Sequence, residues 1–288
     1  MSRFHNIDAF RAAQIDLGPG PVAILLAEDA TELDSTLDRL RTVRFARIVM
    51  FAPDALAPAD PPDGLIRVSW TPGGRAATTD AVNAVIDKAP GVWMHYCYNA
   101  EYLFYPFCET RSVGELLAFH AEERRDAMLT YVIDLYAADT DAFPDAVSRA
   151  HAHLDRSGYY ALARPDPDNH DYPMERQLNF YGGLRWRFEE HVPEDSRRID
   201  RIGLFRAKPG LRLCADHTFS DPEYNTYACP WHHNVTATIC SFRAAKALRR
   251  NAGSRRAVRN FKWHNSAPFE WDSQQLLDLG LMEPGQWF

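Results

Sequence analysis

Short apolar runs separated by amphipathic stretches divide the first half of the chain. Residues 21–27 are continuously apolar and are entered through Gly18-Pro19-Gly20, which predicts a strand buried on both faces. Asp29-Ala30-Thr31-Glu32 has capping-box spacing, and Leu33, Leu37 and Leu40 then share one helical face. Residues 47–52 and 65–70 predict a second and a third strand on either side of a Pro-rich loop at 57–63. Val82, Val85 and Ile86 give helical spacing within 79–88, and residues 91–96 predict a fourth strand. A second capping box, Ser112 to Glu115, opens a helix to about Arg125, and residues 128–135 form another apolar run. Strands alternating with helices predict an α/β fold with a doubly wound, mostly parallel sheet.

Beyond residue 135 the pattern loosens. Residues 163–176, rich in Pro, Asp and Asn, predict a long loop. Further strands are expected at 183–188, 202–206 and 211–214, and a helix over 241–250. No internal repeat or low-complexity segment interrupts the chain.

Composition narrows the setting. With 288 residues, 46% hydrophobic and 25% charged, the chain is ordinary globular material. No apolar run reaches the roughly eighteen residues of a membrane-spanning helix, and residues 1–20 lack the basic start and apolar core of a secretion signal. The five cysteines are scattered and none sits in a C-x-x-C pair. Neither a disulfide scaffold nor a zinc knuckle is predicted, and a reducing, cytoplasmic location is expected. The net charge is −7, yet residues 224–269 contain no Asp or Glu. Eight cations fall there: Arg243, Lys246, Arg249, Arg250, Arg255, Arg256, Arg259 and Lys262. Such a segment predicts contact with an anionic partner, most simply the inner membrane face or a polyprenyl phosphate, over 243–262. The alternative is neutralisation within the chain by Asp195, Asp200 or Glu223; no nucleic-acid partner is expected.

In open parallel sheets ligands sit beyond the carboxyl ends of the strands. That points to Glu28 and Asp29 after the first strand, Asp54 after the second, and Gly73, Gly74 and Arg75 after the third. Pro72-Gly73-Gly74-Arg75 joins a permissive backbone to a cation, which suits a diphosphate as well as a plain turn. Asp134 lies inside an apolar run and is expected to be paired or to titrate abnormally. Glu189 and Glu190 are candidates for a general base or for a solvated strand end. The adjacent His232 and His233 are metal-ligand candidates, surface histidines being the alternative.

Tyr98-Asn99-Ala100-Glu101-Tyr102-Leu103-Phe104-Tyr105-Pro106 follows the fourth strand. It resembles the segment of family 2 glycosyltransferases that reads D-x-D-E-F-L, an apolar residue, Tyr and Pro. Residues 101–106 match with Tyr102 for Phe, while Tyr98 and Ala100 stand where that family has its two aspartates. Tyr181-Gly182-Gly183-Leu184-Arg185 is similar to the family's Gly-Gly-x-Arg segment. Trp231-His232-His233-Asn234, followed by Ser241-Phe242 and Lys246, resembles its late histidine stretch.

The resemblance implies a GT-A-like domain over 1–250, with a nucleotide-binding half at 20–135, an acceptor half at 136–250 and a C-terminal extension at 251–288. It implies transfer of a sugar from a nucleoside diphosphate sugar to a glycan or lipid-linked acceptor. Glu28, Asp29, Asp54, Gly73, Gly74, Arg75 and Arg185 would face the donor, and Glu189 or Glu190 would be the base. The lost aspartates imply a weak or absent divalent metal, Mn or Mg, held by Glu101 with His232 or His233, because these ions prefer hard oxygen ligands. The alternative is a catalytically inactive relative that keeps the fold as a binding module.

Overall fold

The computed structural model describes residues 2–228 and 234–287. Along the chain run β1 (Ser2–Phe4), α1 (Ile7–Ala12), β2 (Val22–Leu26), α2 (Leu33–Thr42), β3 (Arg47–Ala52), β4 (Ile66–Ser69), α3 (Gly74–Ile86), β5 (Trp93–Tyr98), β6 (Glu101–Phe104) and α4 (Val113–Glu122). There follow β7 (Ala127–Asp134), β8 (Tyr136–Ala137), β9 (Ala152–Asp155), β10 (Tyr160–Asp166), β11 (Tyr172–Tyr181), α5 (Gly183–Arg187), β12 (Asp200–Arg206), β13 (Ala237–Ser241), α6 (Arg243–Arg250), β14 (Ser266–Pro268) and α7 (Ser273–Asp278). The chain forms two compact units. The first takes Met1–Leu103, Cys108–Leu129 and Ile202–Asn225; the second takes Phe104–Phe107, Thr130–Arg201 and Thr226–Phe288.

The first unit is an α/β layer structure. Its strands lie in the order β1-β4-β3-β2-β5-β12, parallel from β1 to β5, with β12 antiparallel to β5. β2 is buried along its whole length, as a parallel strand covered on both faces must be. Leu33, Leu37 and Leu40 bury the expected face of α2. The predicted capping box of α4 is present in both directions: Ser112 Oγ accepts from Glu115 N, and Glu115 accepts from Ser112 N. The box expected at Asp29–Glu32 does not form. Glu32 adopts the left-handed conformation at the start of α2 without a side-chain cap, because Asp29 is turned toward a neighbouring strand end.

In the second unit β7 and β13 pair in parallel, Thr130 opposite Ala237 through Asp134 opposite Ser241. β14, β9 and β8 form a small antiparallel sheet. Tyr136, Leu184, Ala245, Leu248, Val258 and Phe261 share one core, so residues from both sides of position 250 pack together.

Three sequence expectations change here. Residues 163–176 are not a loop: β10 and β11 form an antiparallel hairpin, with an irregularity between Ala163 and Pro165 that accommodates proline. Arg164 holds the hairpin by donating to Asn179 Oδ1 at 2.9 Å and to Gln177 Oε1 at 3.2 Å, polar pairing that hydrophobic periodicity does not register. Residues 183–188 are not a strand, since Gly183 at φ 61° turns the chain into the short helix α5. Leu213 makes only an isolated bridge to Phe219 in place of a strand at 211–214.

Candidate functional site at the carboxyl edge of the parallel sheet

In the first unit the chain runs outward from β2 to β3 and β4, then returns to place β5 on the other side of β2. The crevice at such a reversal is where open α/β sheets bind ligands. Its two walls are the segments that follow β2 and β5, and Asn99 joins them. Its Oδ1 accepts Glu28 N at 2.9 Å, and its Nδ2 donates to Asp29 Oδ1 and to Thr31 O, each at 2.8 Å. Asn99 is fully buried, so its amide hydrogen bonds fix both walls in one arrangement. Asp29 also accepts Thr31 N at 2.9 Å.

The turn after β5 is tight. Ala100 has φ 61°, its N–H donates to Thr36 Oγ1 at 2.9 Å, and the Glu101 carboxylate accepts Tyr98 N at 3.0 Å. Glu101 is 1% exposed, so it acts in this turn rather than at an open surface. Tyr98 is also buried, and its hydroxyl lies 2.9 Å from Thr78 Oγ1. Thr78 in turn donates to Gly74 O at 3.2 Å. Tyr98 thereby ties the end of β5 to the first turn of α3. The Tyr102 hydroxyl, buried as well, donates to Glu32 and lies 2.8 Å from Ser35 Oγ.

The other rim residues follow from the register. Ala52 pairs with Ser69, so the ends of β3 and β4 lie level. Ser69 donates to the exposed Asp54 carboxylate, and buried Arg67 donates to Pro53 O at 2.8 Å and Asp54 O at 2.9 Å. Gly73 precedes α3, Gly74 begins it at φ 70°, and neither has space taken by a close backbone neighbour. α3 carries no acid in its first turn and no side-chain cap, so the positive end of its dipole is not neutralised within that turn. Glu28, Asp29, Asp54, Gly73, Gly74 and Arg75 thus all follow carboxyl ends of adjacent parallel strands.

The remaining predicted residues belong to the second unit. Gly182 and Gly183 are glycine for steric reasons. At Gly182, with φ 152°, a Cβ would stand 2.2 Å from Tyr159 Cδ1; at Gly183 one would stand 3.0 Å from Asp134 Oδ2. Arg185 pairs with Asp134 at 3.4 Å and donates to Arg198 O at 2.9 Å. Burial pushes the Asp134 carboxyl up against the pull of Arg185, and its Oδ2 has no hydrogen-bond partner. Arg185 is therefore a counter-ion to a buried carboxylate. Asp155, which no motif or periodicity singles out, is the better satisfied acid: it accepts Tyr136 OH at 2.6 Å, Trp263 Nε1 at 2.8 Å and Arg187 at 3.0 Å.

Glu189 and Glu190 sit on an exposed turn, with Arg197 3.8 Å from Glu189 and His191 3.7 Å from Glu190. His232 and His233 lie outside the described residues. Among the described residues no three His, Cys, Asp or Glu side chains gather as a metal-binding group. The basic segment is not one cationic helical face. Lys246 is buried, Arg249 donates to Pro144 O and Val258 O, and Arg250 pairs with Asp145 at 3.2 Å. Of the acids expected to neutralise it, Asp200 pairs with Arg164 and Arg198, and Glu223 with Arg125. Arg255, Arg256, Arg259 and Lys262 are exposed.

A scan against protein-family models gives no match, and a search among curated proteins gives no match.

Proposed function

We propose that this chain is a glycosyltransferase-like protein that takes a nucleoside diphosphate sugar at the carboxyl edge of β2, β3, β4 and β5 and passes the sugar to a hydroxyl of a glycan or lipid-linked acceptor. The observation that carries this reading is the Asn99 bridge at the sheet's reversal point, where Glu28 and Asp29 meet the Tyr98–Glu101 turn. The likeness of residues 101–106 to E-F-L-x-Y-P falls on the strand that leaves this turn. Asp29 and Asp54 would accept from nucleoside hydroxyls, and the α3 N-terminus with Arg75 would face the diphosphate.

A divalent metal does not fit the described donors well. The turn presents one carboxylate, Glu101, which is buried and already accepts a backbone N–H, and Tyr98 and Ala100 bring no second one. The departing diphosphate is then stabilised by fixed dipoles and cations rather than by a metal clamp.

A specific observation favours a second reading. Tyr98 and Tyr102 are buried with both hydroxyls hydrogen-bonded, and Tyr98 and Ala100 stand where the resemblance puts two carboxylates, as a binding module without turnover would allow. Thermal-shift measurements with UDP, GDP and their sugars, in manganese and in EDTA, test both, because a ligand that binds only the folded state raises stability by mass action. Stabilisation that survives EDTA, with nucleotide release on adding acceptor, is the outcome expected of the transferase. Stabilisation without release would leave the binding module, and no stabilisation by any of them would end the transferase reading and a module that binds these nucleotides.

Among the described residues no helix is long and apolar enough to cross a membrane. The exposed Arg255, Arg256, Arg259 and Lys262 would instead hold the protein at an anionic lipid surface, where a lipid-linked acceptor resides.

A further inference from the structure

Strand β10 of the second unit has one edge in its hairpin and one edge open. On the far side of β11, Phe180 N donates to Asp200 Oδ1 and Phe180 O accepts Ile199 N, each at 2.8 Å. The backbone of Phe180 is therefore turned away from β10. Its register partner is Ala161, and in an antiparallel pair of this kind the opposite residue also turns its N–H and C=O outward. By alternation Ala163, opposite Leu178, does the same. Among the described residues no backbone group pairs with Ala161 or Ala163 on that side, and residues 160–163 are all exposed.

Native edge strands are normally blunted by a lysine, a proline, an inward charge or a covering segment. Tyr160-Ala161-Leu162-Ala163 contains no charge and no proline; Pro165 and the irregularity beside it come only after the open stretch. Tyr160 and Leu162, two positions apart, stand on one face of the strand and are 44% and 55% exposed. A row of outward N–H and C=O groups is matched by another extended strand.

The sequence of the edge selects the strand that fits it. Antiparallel pairing of two copies about a two-fold axis at Ala161 sets Ala161 opposite itself, as a pair exchanging both N–H···O=C bonds. Tyr160 of each copy then falls opposite Leu162 of the other, with roughly 5 Å between Cβ atoms, so both exposed apolar side chains are covered at once. The stretch brings no charge to the axis, and the nearest cation along the strand, Arg164, is paired with Asp200 at 3.1 Å. The net charge of −7 opposes approach from a distance, and salt screens that repulsion.

We propose that β10 is a dimerisation edge: two copies of this chain join antiparallel through Ala161, and their two hairpins become one four-stranded sheet. The contact is a few residues long, below the size of permanent interfaces, so the dimer is reversible, with a dissociation constant of tens of micromolar. It does not depend on the donor reading.

Sedimentation velocity of the full chain should show monomer at about 1 μM and mostly dimer by about 200 μM. Association should be no weaker at about 300 mM salt than at about 50 mM. Ala161→Pro removes the central donor without touching the hairpin's own ladder, and Leu162→Asp sets a carboxylate into the apolar pair. Each should weaken association at least about tenfold while leaving the melting temperature at about 1 μM unchanged. The register is read by cross-linking. Ala161→Cys would bring two Cα atoms to about 5.5 Å across the axis, within disulfide reach, so the oxidised variant should run as a covalent dimer. Tyr172→Cys, at a position 64% exposed on β11 but away from the axis, should not exceed the background set by the parent chain's own cysteines. A chain that stays monomeric to about 200 μM overturns the proposal. So does association undiminished in both Ala161→Pro and Leu162→Asp, or cross-linking of Tyr172→Cys equal to that of Ala161→Cys.

Discussion

Asn99 donates its amide to the Asp29 carboxylate at 2.8 Å, across the boundary between the two strand ends that flank the sheet's reversal. The same side chain accepts from Glu28 N and donates to Thr31 O. One residue thus spends both amide hydrogens and one lone pair of its carbonyl oxygen on fixing the loop after β2 to the turn after β5.

Replacing it should therefore cost more than an average polar substitution. Asn99→Ala leaves Glu28 N and Thr31 O without their buried partner, each worth about 1–3 kcal/mol when unsatisfied. Asn99→Asp preserves shape and acceptor but sets a second carboxylate against Asp29, so it should be destabilised at neutral pH and partly recover in acid. Urea unfolding at pH 7 and pH 5 measures both. An Asn99→Asp chain as stable as the parent at pH 7 would show that the bridge does not hold the crevice.

His120 supplies a pH prediction. It is buried in the first unit, with Nε2 2.8 Å from Ala127 O and Nδ1 without a partner. Burial, with a smaller contribution from Arg125, lowers its pKa to about 4 despite the Ala127 hydrogen bond. The unfolded chain, near 6.5, then binds a proton that the folded chain refuses. The stability tied to this group is complete above about pH 6.5 and is lost as pH falls toward 4, to the extent of about 3 kcal/mol. His120→Gln keeps a donor for Ala127 O but does not titrate, so the dependence of unfolding free energy on pH between 4.5 and 6.5 should flatten. Parallel curves for parent and variant would refute this.

The first unit was legible in the sequence because its strands are short, continuously apolar and punctuated. Residues 21–27 announce β2, and the Ser112–Glu115 box announces α4, down to both of its hydrogen bonds. Rim residues such as Glu28, Asp29 and Asp54 followed from strand ends alone. Their organiser, Asn99, did not, because an amide that satisfies three backbone and side-chain groups on another loop leaves no local periodicity. Hairpin β10–β11 was invisible for a related reason. Its cross-strand support comes from Arg164, Gln177, Asn179 and Asp200, polar residues that read as loop. Gly182-Gly183 stands out in the sequence as a motif, but only packing against Tyr159 and Asp134 shows why a Cβ is crowded at both positions.

That packing predicts two unequal substitutions. At Gly182 a Cβ would fall 2.2 Å from a Tyr159 ring carbon, on backbone at φ 152°. Gly182→Ala should cost about 3 kcal/mol or more, by overpacking and strain together. At Gly183 the nearest atom is Asp134 Oδ2 at 3.0 Å, so Gly183→Ala should cost less and should disturb the Asp134–Arg185 pair. In a double-mutant cycle, Tyr159→Ala should recover part of the Gly182→Ala loss, since the two remove the same clash. Strict additivity would place the cost in the backbone conformation alone.

The last prediction concerns the basic surface. Val258 and Phe261 are buried in the second unit's core, while Arg255, Arg256, Arg259 and Lys262 between and beside them are exposed. The segment is therefore an anchored knuckle whose cations face solvent. Among the described residues none of these four has an acidic partner, whereas Arg250 is paired to Asp145. Each cation near an anionic bilayer contributes about 1 kcal/mol, and the attraction decays within a Debye length of about 10 Å at 0.1 M salt. Four acting together suffice for recruitment at low salt, and the chain's net charge of −7 works against it at a distance. Co-sedimentation should show binding to vesicles rich in phosphatidylglycerol, weakening steeply from 50 to 300 mM salt on electrostatic grounds, and none to phosphatidylcholine vesicles. Changing all four residues to Glu should abolish the binding without altering the melting temperature, because none is buried. Lysine replacements of the three arginines should retain it, since a bilayer reads charge rather than guanidinium geometry. Binding that is equal for both vesicle types, insensitive to salt, or unaffected by the four Glu substitutions would remove the membrane from the account of this surface.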